Sequence, residues 1–573
     1  MDSGNMSESI DSKAYINLTP ALKKREETLE CNHVIDASSY IRVANFTTAP
    51  RLPAEMWLKI LSNLRHGDLL QVNLVCKDWY QLTRAPELRR KSKLVITTRN
   101  LKDISDLMEH IDLKYESVEI GDELNVFSNA EHELLLKIFK YLGSDIVQQK
   151  LYRVSTISRL NNLLPKIEEL DLSESWSDKI VKVDLKKFSK LKSLLMPTYV
   201  REHIKSELVS SVIQMSRIRL EKLTVKVGPG IGFFPVDCLN MLETHVSSLR
   251  WLKLEFFWLK VDLTLQRKLQ ETFKKFTQLE VLDLTDIYNK EPISIILENL
   301  SKENRLKTIV LVFAGDGDDL LELIIKKWSD SLECLDLRGL GVGENSVKQL
   351  NFMSGKLRRL KLNAYGLKPQ SLLHSIAPKI NKTLTELKLF GSHPVGELFC
   401  VLAHRVPNLT TLDLKGLIST ITDEEMGNIF QNLIHLRHLC LEPCVSEKDI
   451  EYLCSKPNIS NLKRLQTLYS CFCPIKVLVI LNLDFKFREL TKMELIACKR
   501  FRKLSISRLV DINIYFPALE ELRSGDLDFS GNKIQEMRKS FPRLRRIYVQ
   551  GEGEIYRYPF QYRHEQGKCN KIL

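Results

Sequence analysis

Apolar positions along this chain keep two different rhythms. The first runs from Leu52 to Leu82, LPAEMWLKILSNLRHGDLLQVNLVCKDWYQL, where Met56, Trp57, Ile60, Leu61 and Leu64 recur at helical spacing. Pro53 suits a first helical position, where a missing N–H costs nothing. Gly67 can end that helix and Asp68 can cap the next one. A second apolar set follows in Leu69, Leu70, Val72, Leu74, Val75, Cys76, Trp79 and Leu82. So short a module cannot bury that much apolar surface alone, so part of it is expected to face a partner.

The second rhythm begins at Lys93–Thr97, KLVIT, and becomes a repeat, L-x-x-L-x-L. It is clearest at 279–284, 332–337, 357–362, 384–389, 409–414 and 436–441. Looser copies stand at 167–172, 191–196, 220–225, 249–254, 306–311, 465–470, 490–495, 519–524 and 544–549. The mean period is about 27 residues, in the range of stacked repeat proteins. Residues 115–120, YESVEI, extend the array backwards, and the degenerate stretch 121–166 is expected to hold one irregular repeat. Alternating apolar places in a short strand point to one face, so one strand per repeat builds a parallel sheet. The rest of each repeat supplies a helix. The stretch 318–328, DDLLELIIKKW, has aspartate at the cap position and apolar residues at helical spacing.

Both rhythms resemble known families. Leu52-Pro53, Ile60-Leu61, Leu64, Asp68-Leu69 and Val75-Cys76 with Trp79 look like an F-box. The likeness departs at its end, where Pro86-Glu87-Leu88 stands near the place of a Leu-Trp pair common in F-boxes. The array resembles leucine-rich repeats. Cys444, Cys473 and Cys498, each eight places after the first residue of its repeat, are similar to the cysteine-containing type found beside F-boxes. The fold implied is α/β: a leucine-rich-repeat solenoid, with its parallel sheet on the concave side and helices on the convex side, after a small all-α F-box. Residues 1–50 are expected to be mostly disordered, 51–90 to form the F-box, and 91–573 to form one continuous solenoid with a C-terminal cap.

The resemblance implies a substrate-recognition subunit of an SCF-type ubiquitin ligase. It implies a Skp-family adaptor bound through Leu52, Pro53, Ile60, Leu61, Leu64, Leu69, Val75 and Trp79, and through that adaptor the cullin ligase core. Ubiquitin transfer would belong to other subunits, and this chain would hold a protein substrate near them. The alternative is a leucine-rich interaction scaffold with no ligase role.

Composition narrows this picture slightly. At 44% hydrophobic, the chain is too apolar for disorder throughout. A formal charge of +13 is compatible with nucleic acid or with acidic protein partners. The cations are dispersed, however, and not grouped with stacking aromatics, so nucleic acid is not expected. Met1–Ser12 is polar, and no stretch has the 18 apolar residues of a membrane span. The 12 cysteines read as reduced buried thiols of a cytoplasmic or nuclear protein.

No catalytic, metal or cofactor pattern emerges. Cys440, Cys444, Cys454, Cys471 and Cys473 lack paired C-x-x-C spacing, and Gly228–Gly232 is not followed by a phosphate-binding lysine. Gly228–Gly232 reads as a loop between a strand and a helix, and the aspartates of Gly315–Asp319 as caps for the helix after them. Substrate contacts are expected at variable places between the fixed leucines. The candidates are Arg338, Arg359, Lys361, Lys388 and Lys415, a basic stripe for acidic or phosphorylated partners, and Trp251 among Phe233, Phe234, Phe256, Phe257 and Trp258.

Overall fold

The computed structural model describes residues 52–559 apart from short stretches and the longer gaps 415–427, 442–463, 473–491, 498–517 and 526–538. The expected disorder of residues 1–50, and Cys444, Cys473 and Cys498, lie outside the described residues. The chain divides into two units, residues 1–268 and 269–573. The division falls inside the stretch expected to be a single array, and each unit carries its own run of parallel strands.

The first unit opens with two short helices, Ala54–Leu61 and Lys77–Thr83. Seven strands follow: β1 (Lys93–Ile96), β2 (Ser117–Ile120), β3 (Gln148–Leu151), β4 (Glu169–Asp171), β5 (Ser193–Leu195), β6 (Lys222–Val227) and β7 (Trp251–Phe256). Each pairs in parallel with the next. β3 is the irregular repeat expected within 121–166, and its sequence QQKL hides it from a leucine pattern. Before it stands the helix Asn129–Leu142. Ser128 and Glu131 start that helix reciprocally, each side chain bonding the other's backbone N–H.

The second unit contains β8 (Val281–Thr285), β9 (Thr308–Val312), β10 (Gly315–Asp316), β11 (Cys334–Leu337), β12 (Leu340–Gly341), β13 (Arg359–Asn363), β14 (Glu386–Phe390), β15 (Thr411–Asp413), β16 (His438–Leu441), β17 (Thr467–Phe472), β18 (Lys492–Ala497), β19 (Glu521–Gly525), β20 (Arg546–Gln550) and β21 (Ile555–Pro559). Apart from β10 and β12, which pair only with each other, the strands from β8 to β20 pair in parallel in chain order. β21 runs antiparallel to β20 and so occupies a strand edge that would otherwise be open. All fifteen L-x-x-L-x-L motifs carry a strand beginning at or next to their third place.

The period-2 alternation explains which face closes. On β6, Leu223, Val225 and Val227 are buried while Lys222, Thr224 and Lys226 stay partly exposed. The apolar side is covered by the repeat's own helix, as in Asp318–Trp328, whose Leu320, Leu321, Ile324, Ile325 and Trp328 are all buried. Third- and fifth-place side chains therefore share the sheet's open face.

Register between repeats is set by backbone and by small polar side chains. One second-place carbonyl accepts two amides of the following repeat: Lys307 O takes Glu333 N and Cys334 N at 2.8 and 2.9 Å, and Glu333 O takes Arg358 N and Arg359 N at 2.7 and 3.0 Å. The residue just before a first-place leucine donates its hydroxyl to the preceding first-place carbonyl, as Ser248 does to Leu220 (2.7 Å) and Ser331 to Leu306 (2.8 Å). Lys327 closes the end of the helix Lys290–Asn299 by donating to the carbonyls of Leu297, Glu298 and Leu300.

Some sequence expectations are corrected here. Pro53 is the N-cap and not the first helical residue, and that helix ends at Leu61 with Ser62 as its C-cap. Gly67 and Asp68 lie outside the described residues. The aspartates of Gly315–Asp319 divide their work: Asp316 accepts the amide of Asp318, the first helical residue, at 3.1 Å, the N-cap position itself is Gly317, and Asp318 accepts the Gly343 amide of the next repeat at 2.6 Å. Cys238 and Cys334 are buried thiols, but Cys76 is exposed.

Candidate functional site

The N-terminal helices sort their apolar residues into two sets. Leu61, Leu69 and Leu88 form a small closed core, with Leu58, Leu64, Val72 and Leu82 packed against it. Trp57 and Trp79 meet with ring centroids 5.0 Å apart. Left outside are Pro53, Met56 (48% exposed) and Ile60 (42%), which share one stripe of the helix Ala54–Leu61 through their spacing, and Val75 (61%) before the second helix.

The eight residues expected to meet the adaptor therefore have different placements. Pro53, Ile60 and Val75 are exposed; Leu52, Leu64 and Trp79 are half-buried; Leu61 and Leu69 are buried and build the module itself. Met56 belongs to the exposed stripe, although the motif did not single it out as a site residue. Its three- and four-residue offsets from Pro53 and Ile60 were the signal that could have found it.

On the open face of the second unit, fifth-place residues Asp336, Lys361, Lys388 and Asp413 lie in register on β11, β13, β14 and β15. They do not leave a bare basic stripe. Lys361 Nζ stands 3.3 Å from Asp336 and 4.0 Å from Glu386, and Lys388 Nζ stands 3.9 Å from both Glu386 and Asp413. Arg338 Nε donates to Asp336 Oδ1 at 3.0 Å. Each lysine is thus held between two carboxylates, and an acidic ligand would compete with acids already in place. Arg359, at a third place, is exposed, and Lys415 lies outside the described residues. Burial raises the pKa of the third-place Cys334 thiol, which keeps it protonated and a poor nucleophile.

Reversing Lys361 to Glu is accordingly expected to destabilise the unit as well as alter binding, since three carboxylates would meet at a nearly dry site. A loss of about 2 kcal/mol is expected in chemical denaturation, against a smaller loss for Lys361→Met. Unchanged stability of the Glu variant would show that the ladder is only solvated surface.

On the first unit's open face, Trp251 of β7 is half-buried and lies under the Lys222 ammonium of β6, 4.4 Å from the ring centroid. Phe233 and Phe256 are buried, Phe234 is exposed, and Phe257 and Trp258 lie outside the described residues. The aromatic group expected from the sequence thus divides into core members and an open-face tryptophan.

Comparison with known proteins bears on the N-terminal module. Residues 49–94 match the F-box-like family model. No curated protein sequence matches the chain. Among solved structures, the TLR13–ssRNA13 complex is similar at 13% identity over 81% of this chain and 71% of that one, with a TM-score of 0.35. The yeast Rad7–Elc1 complex is similar at 12% identity over 90% and 94%, with a TM-score of 0.33. An F-box-like module thus heads an α/β array of leucine-rich repeats.

Proposed function

We propose that this protein is the substrate-recognition subunit of an SCF-type ubiquitin ligase. It binds a Skp-family adaptor through its F-box-like module and a target protein through the repeat array, and it marks that target for degradation without performing catalysis itself. The observation that carries the reading is the exposed apolar stripe Pro53, Met56 and Ile60, with Val75, on a module that matches the F-box-like model at residues 49–94. A folded module with its own core does not need these side chains for stability, and their exposure suits burial against a partner. The array supplies the second half of the argument, because its long open face offers variable side chains on a scaffold fixed by leucines.

The test uses the exposed side chains only. In the full-length chain, Met56→Asp with Ile60→Asp is expected to lower co-purification of a Skp-family adaptor by at least about tenfold, the scale of losing one or two buried apolar anchors. Circular dichroism of the variant should match the parent. Undiminished adaptor yield would remove the ligase reading and leave the scaffold alternative, in which the array binds proteins and the module serves another contact.

A further inference from the structure

The edge of the second unit at which each repeat runs into its strand changes character partway along. Toward β8, β9 and β11 it carries acids, and cations of the next repeat match them: Glu280 meets Lys307 at 2.6 Å, Asp330 meets Lys356 at 2.6 Å and Glu333 meets Arg358 at 3.4 Å. The segments that lead into β13, β14, β15 and β16, residues 351–358, 377–385, 404–410 and 433–437, contain no aspartate or glutamate. The acids of the preceding repeat satisfy Lys356 and Arg358. Beyond them Lys379, Lys382 and Arg437 are exposed and have no acidic partner among the described residues. At the second places Thr385 and Thr410 replace charge, and their hydroxyls go to backbone, Arg358 O at 3.1 Å and Thr385 O at 3.0 Å. On this same edge Phe352 is 74% exposed, Ile380 63% and Ile434 48%. Each stands just before the first-place leucine of the next repeat, Leu357, Leu384 and Leu436. The loops that carry them are tied together: Thr383 Oγ1 donates to Leu357 O at 3.2 Å, Asn381 N to Arg405 O at 2.7 Å and Asn408 Nδ2 to Lys382 O at 2.9 Å. Ile380 is therefore presented on a fixed loop, which lowers the ordering cost of binding there.

We propose that this edge docks an acidic amphipathic segment of a protein partner, whose apolar side chains cover Phe352 and Ile380 and whose carboxylates meet Lys379 and Lys382. A longer segment continues toward Ile434 and Arg437. The chemistry of the partner follows from the charge: an edge with unmatched cations and no acid of its own attracts an acidic surface and repels a basic one. Apolar anchors rimmed by polar groups are the usual build of a protein contact. The anchors stand singly in a row, one to a repeat, which suits a linear segment, whereas a bilayer takes a broad apolar face. Isoleucines offer no ring on which bases could stack. This edge is distinct from the open face of the sheet, and the inference stands without the ligase reading.

The experiment uses the full-length chain and three labelled twelve-residue peptides: one with Leu at helical spacing and Glu between, one with Gln for each Glu, and one with Ser for each Leu. By fluorescence anisotropy, the Leu/Glu peptide should bind at least about tenfold tighter than either of the others, with binding that weakens as salt rises. Lys379→Glu with Lys382→Glu should remove the preference for Glu over Gln, and the paired changes to Arg should retain it. Phe352→Ser with Ile380→Ser should weaken the Leu/Glu peptide at least about tenfold. All four side chains are exposed, so circular dichroism of these variants should match the parent. Equal or absent binding of the three peptides, or indifference of the Leu/Glu peptide to either double variant, would overturn the proposal. So would sedimentation with phosphatidylserine vesicles that is lost in the same variants, which assigns the edge to a membrane, or displacement of the peptide by a twelve-residue oligouridine, which assigns it to nucleic acid. Adaptor co-purification is scored in parallel: its loss with peptide binding intact would defeat the ligase reading alone, and its retention with no peptide preference would defeat this inference alone.

Discussion

Leu412→Asp is expected to unfold the repeats around β15, a larger effect than any surface substitution would have. Leu412 is the fourth-place leucine of LTTLDL, 1% exposed, and its register partners on either side are Leu387 and Leu439, both also buried. Losing the leucine forfeits about 1.5–3 kcal/mol of burial. The aspartate must then either remain charged among leucines, at several kcal/mol, or take up a proton at a strongly raised pKa. Because each repeat buries its apolar side only with help from its neighbours, the damage spreads along the array. Hydrogen exchange and limited proteolysis should show lost protection across residues 384–441, while Leu412→Met, which conserves volume, should cost less than about 1.5 kcal/mol. Parent-like protection in the Asp variant would refute the packing described for this unit. The F-box-like module lies in the other unit, so adaptor binding should survive.

Asn304→Leu is the second large effect. Asn304 is fully buried just before the first-place Leu306. Its carbonyl oxygen accepts the Leu279 amide at 2.9 Å, and its amide nitrogen donates to Phe276 O at 2.7 Å and to Ser301 O at 3.0 Å. Leucine has nearly the same shape but leaves a buried N–H and a buried carbonyl without their partners. Each costs about 1–3 kcal/mol, so a loss of about 3 kcal/mol is expected in denaturant unfolding. Asn381 is also buried, but its side chain bonds within its own loop, accepting from Thr383 N and Leu384 N and donating to Ile376 O. The corresponding Asn381→Leu variant should therefore lose a comparable amount. If either variant is as stable as its parent, that asparagine is a passenger in the core and its hydrogen bonds hold nothing in place.

These two residues differ in how legible they were. Leu412 is visible in the sequence because the motif that contains it recurs, and a recurring alternation states which side is apolar. Asn304 is invisible because its partners Leu279 and Phe276 lie 25 and 28 residues away and only stacking brings them near. The same distinction holds in the N-terminal module. Helical spacing marks Leu61 and Ile60 equally as apolar, yet one is core and the other exposed. Adjacent residues on a helix point about 100° apart, and only the position of the second helix decides which of them is inward.

What the sequence determined by itself is the local part: a short helical pair, then strands at fixed places in a repeat, because period-2 and period-3.6 patterns are properties of a few consecutive residues. Even the irregular β3 repeat was legible as a gap of the right length between YESVEI and IEELDL. What only the tertiary structure decided is how charges on different repeats neutralise each other. Lys361 and Lys388 read from the sequence as a basic stripe, and register places each of them between carboxylates on its own and neighbouring strands. Lys226 and Lys253 form no pattern in the sequence that sets them apart, and register brings both of them to Glu255. The physical reason is that an ion pair depends on a separation of a few ångströms, which adjacent strands about 5 Å apart provide between residues some 25 positions distant in the chain.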